Sequence, residues 1–203
     1  MRSAFTVVAL VMAGGLAARA EPPARPTMQQ LPEAAAREAP PTARALVDAR
    51  EAFDRRHPGI LARGRTTAGA TLLAEHLVDA AAVEEDRAVK WLMLLEARRM
   101  AVASGSAATL DRAIVLASAT YEFDAVEEEI RGLKEIPVRI LSPQRAAVFA
   151  EVAERVAARA ESDRRHGLAA SAALLAMRGW QRAGLVDPAK RAAARHEELV
   201  RRP

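Results

Sequence analysis

The sequence predicts an all-α fold, with antiparallel helical hairpins stacked into a solenoid-like array of about seven to eight helices. Three observations carry this expectation. Alanine fills 49 of the 203 positions and, with leucine, arginine and glutamate, dominates the chain; all four are good helix formers. Only 7 residues are aromatic, and β-branched residues are sparse, which leaves little to build strands from. From Thr42 onward, apolar residues recur at helical spacing in segments parted by short breaks.

Each helix has its own signals. Thr42 can cap a first helix over about 43–57, with Leu46, Ala49, Ala52 and Phe53 inward and Pro58-Gly59 as its stop. A second, about 67–82, carries Ala70, Leu73, Ala74, Leu77 and Ala81 on one stripe. A third, about 84–104, opens on Glu84-Glu85-Asp86, acids suited to a positive helix start, and closes at Gly105. Its run from Val89 through Leu95 is apolar nearly all round, as in a helix buried between neighbours. A fourth, about 107–120, holds Leu110, Ala113, Ile114 and Ala117 in register with Tyr121. Asp124 caps a fifth, about 125–135, with Glu127 at the third helical position of a capping box. Pro137 to Leu141 breaks the pattern, and Ser142-Pro143 restarts it as cap and first-turn proline. A sixth helix over about 143–161, a seventh over about 165–183 closed by Gly184, and an eighth after Asp187-Pro188 complete the series. The short connections predict antiparallel neighbours.

The first 20 residues read differently. Arg2, an uncharged apolar run from Ala4 to Ala17 and Ala18-Arg19-Ala20 follow the order of a secretory signal peptide. The run is too short for a membrane span. Residues 21–41, with six prolines among alanine and polar residues, read as a semi-rigid linker, and residues 42–203 as the helical domain. The expected location is therefore outside the cytoplasm, periplasmic or extracellular, with no stable membrane span after cleavage. Cleavage after Ala20 lowers the net charge from +4 to +2. The high pI reflects 27 arginines rather than a basic stripe, so no nucleic-acid partner is expected.

Glu96-Ala97-Arg98-Arg99-Met100-Ala101-Val102-Ala103-Ser104-Gly105-Ser106, with Tyr121-Glu122-Phe123-Asp124-Ala125 beyond it, resembles the helix end and following turn of an alanine-rich family in large exported bacterial proteins. The resemblance spans about residues 43–200. It implies a TPR-like array of helical hairpins behind a signal peptide, and no assigned activity. Ser106 stands where that pattern favours aspartate. The 34-residue period of true tetratricopeptide repeats is absent. A weaker self-similarity relates the third and fourth helices to the seventh and eighth at an offset of 79, aligning Leu95, Ala97 and Gly105 with Leu174, Ala176 and Gly184.

Chemistry-bearing patterns are few. Without cysteine there is no disulfide, thiol nucleophile or cysteine metal site. The four histidines make no metal motif: His196-Glu197-Glu198 starts like a zincin helix, but Val200 stands at the second histidine position. No cofactor is expected. Asp54-Arg55-Arg56-His57 recurs as Asp163-Arg164-Arg165-His166, two candidate anion-binding corners that ordinary helix-end cations also explain. Glu122, Asp124 and Glu127 to Glu129 read as dipole-complementing acids on a wet face. Glu96 lies among apolar residues, where a carboxylate is either paired with a cation or available for acid–base work. Trp91 and Trp180 read as core anchors or as stacking platforms for a ligand. The expected function is an exported, non-enzymatic scaffold binding a protein or peptide partner, with self-association open. A small hydrolase or lyase using Glu96 or a histidine is one alternative, and a structural spacer the other.

Overall fold

A computed structural model describes residues 37–202. Among them are eight α-helices: α1 (Ala43–Arg56), α2 (Thr67–Val83), α3 (Arg87–Ser104), α4 (Ala107–Thr120), α5 (Ala125–Glu135), α6 (Pro143–Ser162), α7 (His166–Ala183) and α8 (Val186–Arg201). Two short 3-10 turns, Ile60–Arg65 and Val138–Ile140, fill breaks that the sequence left irregular. The described residues contain no strand, only an isolated parallel bridge between Glu38 and Tyr121. The signal-like residues 1–20 and most of the proline-rich stretch lie outside the described residues.

The helix ends follow side-chain chemistry. Thr42, Thr66, Asp86, Asp124 and Ser142 each accept a backbone N–H of the first turn beyond them. Gly105 and Gly184 both take the left-handed conformation, at φ 69° and 77°, that a Schellman-type stop requires. Arg164 takes it too, at φ 58°, where most helices place glycine. Two expected starts are corrected. The third helix begins at Arg87: Glu84 and Glu85 precede it, and the Glu84 side chain accepts the Asp86 N–H at 2.9 Å. The last begins at Val186 with no side-chain cap, so Asp187 sits inside the first turn.

The helices pack chiefly as α2 on α3, α6 on α7 and α7 on α8. α1 docks on α3 rather than on its sequence neighbour, because the 3-10 turn after it occupies the flank of α2. Central α3 touches α1, α2, α4 and α5, in keeping with its nearly all-round apolarity.

The 79-residue offset extends further than the sequence suggested. It carries α3 onto α7 end for end, the start of α4 onto the start of α8, and the last residue of α2 onto that of α6. The six buried residues of α2 (Ala70, Leu73, Ala74, Leu77, Val78, Ala81) fall on six buried residues of α6 (Phe149, Val152, Ala153, Val156, Ala157, Ala160). The chain therefore presents two three-helix units of the same burial register, α2–α4 and α6–α8, joined by α5.

The two units fill their interiors differently. Around α3 the core uses Leu92, Met93, Leu94 and Met100; around α7 it uses Ala172, Ala173, Ala176 and Gly179. Small residues let helix axes approach closely. A Cβ on Gly179 would stand 2.8 Å from Ala150 Cβ and 3.0 Å from the Ala146 carbonyl, so α6 and α7 touch there backbone to backbone.

Candidate functional site

An apolar concavity lies between α3 and α4. Trp91, Leu94 and Leu95 from α3 face Ala113, Ile114 and Ala117 from α4; Phe123, Pro40, Arg98 and Glu128 complete the wall of a half-open pocket of about 210 Å³. Trp91 stands edge-on to Tyr121, with ring centroids 4.7 Å apart, and to Phe123, 5.5 Å apart. Such tilted arrangements suit the aromatic quadrupole. Tyr121 anchors the trio: its hydroxyl donates to the Arg87 carbonyl, and burial pushes its pKa up to about 12.

The chain that enters from the N-terminal side forms one edge of this pocket. The Glu38 N–H donates to the Thr120 carbonyl at 3.1 Å, and the Glu122 N–H to the Glu38 carbonyl at 2.7 Å. Glu38 also pairs with Arg87. Two residues on, Pro40 reaches the pocket wall. The end of the proline-rich segment is thus held in extended form against the helical domain, ahead of the α1 cap at Thr42.

At the opposite rim, Arg98 donates from Nη2 to Glu135 at 3.1 Å and places Nε 3.8 Å from Glu128. That distance is too long for a hydrogen bond, and this buried Nε–H has no partner among the described residues.

The corresponding positions of the second unit carry different side chains. Ala170 and Met177 stand where α3 has Trp91 and Arg98, and Ala193 where α4 has Ile114. His196 replaces Ala117, and its Nδ1 lies 2.9 Å from the Ala170 carbonyl, bridging α8 to α7.

The two arginine corners do not form one site. Arg56 pairs with Glu84 at 2.9 Å, Arg55 lies 3.8 Å from Glu51, and the His57 ring packs 5.1 Å from Phe53. In the second copy, Arg165 grips both oxygens of Asp124, the α5 cap, and holds that carboxyl below its ordinary pKa. Arg164 occupies the left-handed turn, and His166 opens α7 with a buried Nδ1 that has no partner among the described residues. These cations serve helix ends and inter-helix pairs. Trp180 is a core anchor, with its indole N–H donating to Glu154 at 2.8 Å.

Two glutamates are buried. Glu96 bonds to Arg50 and, at 2.9 Å, to Arg99. Burial raises its pKa, but the two guanidiniums outweigh burial and leave it below the usual carboxylate value. Glu129 corrects the reading of the acidic cluster as a uniformly wet face: it is fully buried. One oxygen meets Arg159, the other has no partner among the described residues, and Asp111 competes for the same arginine at 3.5 Å. Burial, with Asp111 adding to it against the opposing pull of Arg159, pushes the Glu129 pKa up to about 8. Glu129 lies three residues after Val126 and four before Leu133, so helical spacing sets it on the buried side of α5 with them, against α4 and α6.

No group of three or more histidine or acidic side chains among the described residues could hold a metal ion, and no helix there is long and apolar enough to cross a membrane. Comparison with protein-family models, with curated proteins and with solved structures found no match to this chain.

Proposed function

We propose that this chain is an exported, non-enzymatic helical scaffold that binds a protein or peptide partner in the cell envelope, within the alanine-rich, TPR-like class its α3 sequence resembles. The observation that carries the reading is the α3–α4 pocket. Aromatic and large aliphatic side chains line it, while the equivalent positions of the second unit carry mostly alanines and a histidine bridge. Apolar surface left half-open in this way is characteristic of recognition sites. Glu96, the foremost acid–base candidate, is instead neutralised by two arginines. Export rests on the basic, apolar and small-residue order of residues 1–20.

The test is crosslinking of the tagged chain in its native envelope, followed by recovery under denaturing conditions and N-terminal sequencing of the bait. A reproducible partner above the untagged background, on a bait starting at Glu21, is the expected result. No partner, with a monomeric mass by light scattering, would sink the binding reading. A bait retaining residues 1–20 would refute cleavage.

A further inference from the structure

We propose that the α3–α4 pocket is a seat for a proline-bearing extended segment of a partner polypeptide, laid across Trp91, Phe123 and Leu95. This deepens the partner-binding reading above and rests on it.

The chain itself displays the recognition. Glu38 to Pro41 runs extended, forms a parallel bridge to Tyr121 and presents Pro40 to the pocket two residues later. An extended proline segment loses little entropy on binding, because its backbone is already restricted. Its rings match flat aromatic walls, the basis of aromatic-groove recognition of such peptides. Trp91 and Phe123, set at 77° to each other, supply two such walls of the pocket. Leu95, 39% exposed, extends the apolar floor to the surface.

The test titrates capped octaproline, with a glycine–serine octapeptide as control, into the full-length chain by calorimetry. Saturable binding of octaproline, at least tenfold tighter than the control, is expected. Leu95→Arg should weaken it tenfold or more while leaving helicity and thermal midpoint unchanged, since the side chain is already at the surface. Trp91→Ala should abolish it. Equal binding of both peptides overturns the proline assignment, and no binding at millimolar peptide overturns the site. Binding that survives Leu95→Arg in a folded protein places it elsewhere and also overturns the proposal. Two other occupants have their own signatures, each contrary to a partner. Binding seen only after Pro22, Pro23, Pro26 and Pro32 are replaced by alanine means that the chain fills its own pocket. A dimer that Leu95→Arg dissolves means that a second copy does. If the envelope partner is crosslinked equally by wild type and Leu95→Arg, the scaffold reading stands and the pocket assignment alone fails.

Discussion

The two three-helix units share a burial register and differ in what fills it. At the position where α6 has Phe149, α2 has Ala70; where α7 has Gly179, α3 has Met100. All four are buried. The large residue sits on one helix of the pair in the first unit and on the other helix in the second, so each pairing joins one large residue to one small. Position-specific volume is exchanged while the helix bounds stay fixed, as expected if total core volume is what the fold defends. The exchange has a consequence for function. The alanine-lined α7 lies close along α8, whereas the bulkier α3 gives its pocket against α4 large aromatic and aliphatic walls.

The largest expected effect tests that exchange. Phe149→Ala removes a fully buried ring and should cost about 3–5 kcal/mol in urea unfolding, since alanine cannot fill the space left. Gly179→Met alone should also be severe, because the added Cβ meets rigid Ala150 and the α6 backbone. The double substitution reproduces the Ala70–Met100 arrangement of the first unit. It should recover at least 1 kcal/mol relative to the sum of the single changes, a favourable coupling between contacting sites. Strict additivity would show that the units are not interchangeable in packing and would break the comparison.

Next in size is a pH effect in α5, the helix that joins the units. Glu129 has a pKa of about 8 in the folded chain against an ordinary 4.5. The folded state therefore holds a proton that the unfolded state releases. The contribution of Glu129 to stability is greatest below pH 4.5, falls as pH rises from there to about 8, and is flat beyond. The loss is on the order of a few kcal/mol. Urea midpoints at pH 5 and pH 8 measure it, and Glu129→Gln should flatten the slope. Asp124 and Glu161, with lowered values, lose their contributions below the carboxylate range and so do not mask this window. A slope that persists in Glu129→Gln would assign the titration elsewhere.

Much of this architecture is legible in the sequence, and the exceptions are instructive. All eight helices are legible from their apolar spacing, and five are marked further by a local cap, a threonine, serine or aspartate before the helix, while glycine closes α3 and α7. The starts at Arg87 and Val186 escape, since Glu84 and Asp187 carry the right chemistry for a helix start at the wrong positions. The full extent of the pseudo-repeat is hidden because Phe149 and Ala70, or Met100 and Gly179, are dissimilar as letters and equivalent only as burial. The pocket is hidden for another reason. Trp91 reads equally as core or platform, and Pro40 reads as linker, until the bridge at Tyr121 brings the two together. Helical spacing sets Glu129 beside Val126 and Leu133, but its neighbours Asp111 and Arg159 come from two other helices, which no local pattern encodes.

A smaller effect separates the units at a single charged position. Glu96 in α3 corresponds to Leu175 in α7, and both are buried. The carboxylate is held by Arg50 and Arg99, whose side chains are 36% and 61% exposed. Solvent screens such a pair, so its net value is about 1 kcal/mol or less. Glu96→Leu should therefore change stability at pH 7 by no more than that in either direction: the arginines remain solvated, and leucine is what the sister helix already accommodates. The change should appear instead in acid. Because its folded pKa lies below 4.5, Glu96 stabilises the fold above that value and loses its contribution as pH falls through the lowered one. The variant should accordingly lose less stability than wild type between pH 5 and pH 3. A loss above 3 kcal/mol at pH 7 would show that Glu96 organises α1 against α3 through Arg50, a role its counterpart in the second unit cannot have.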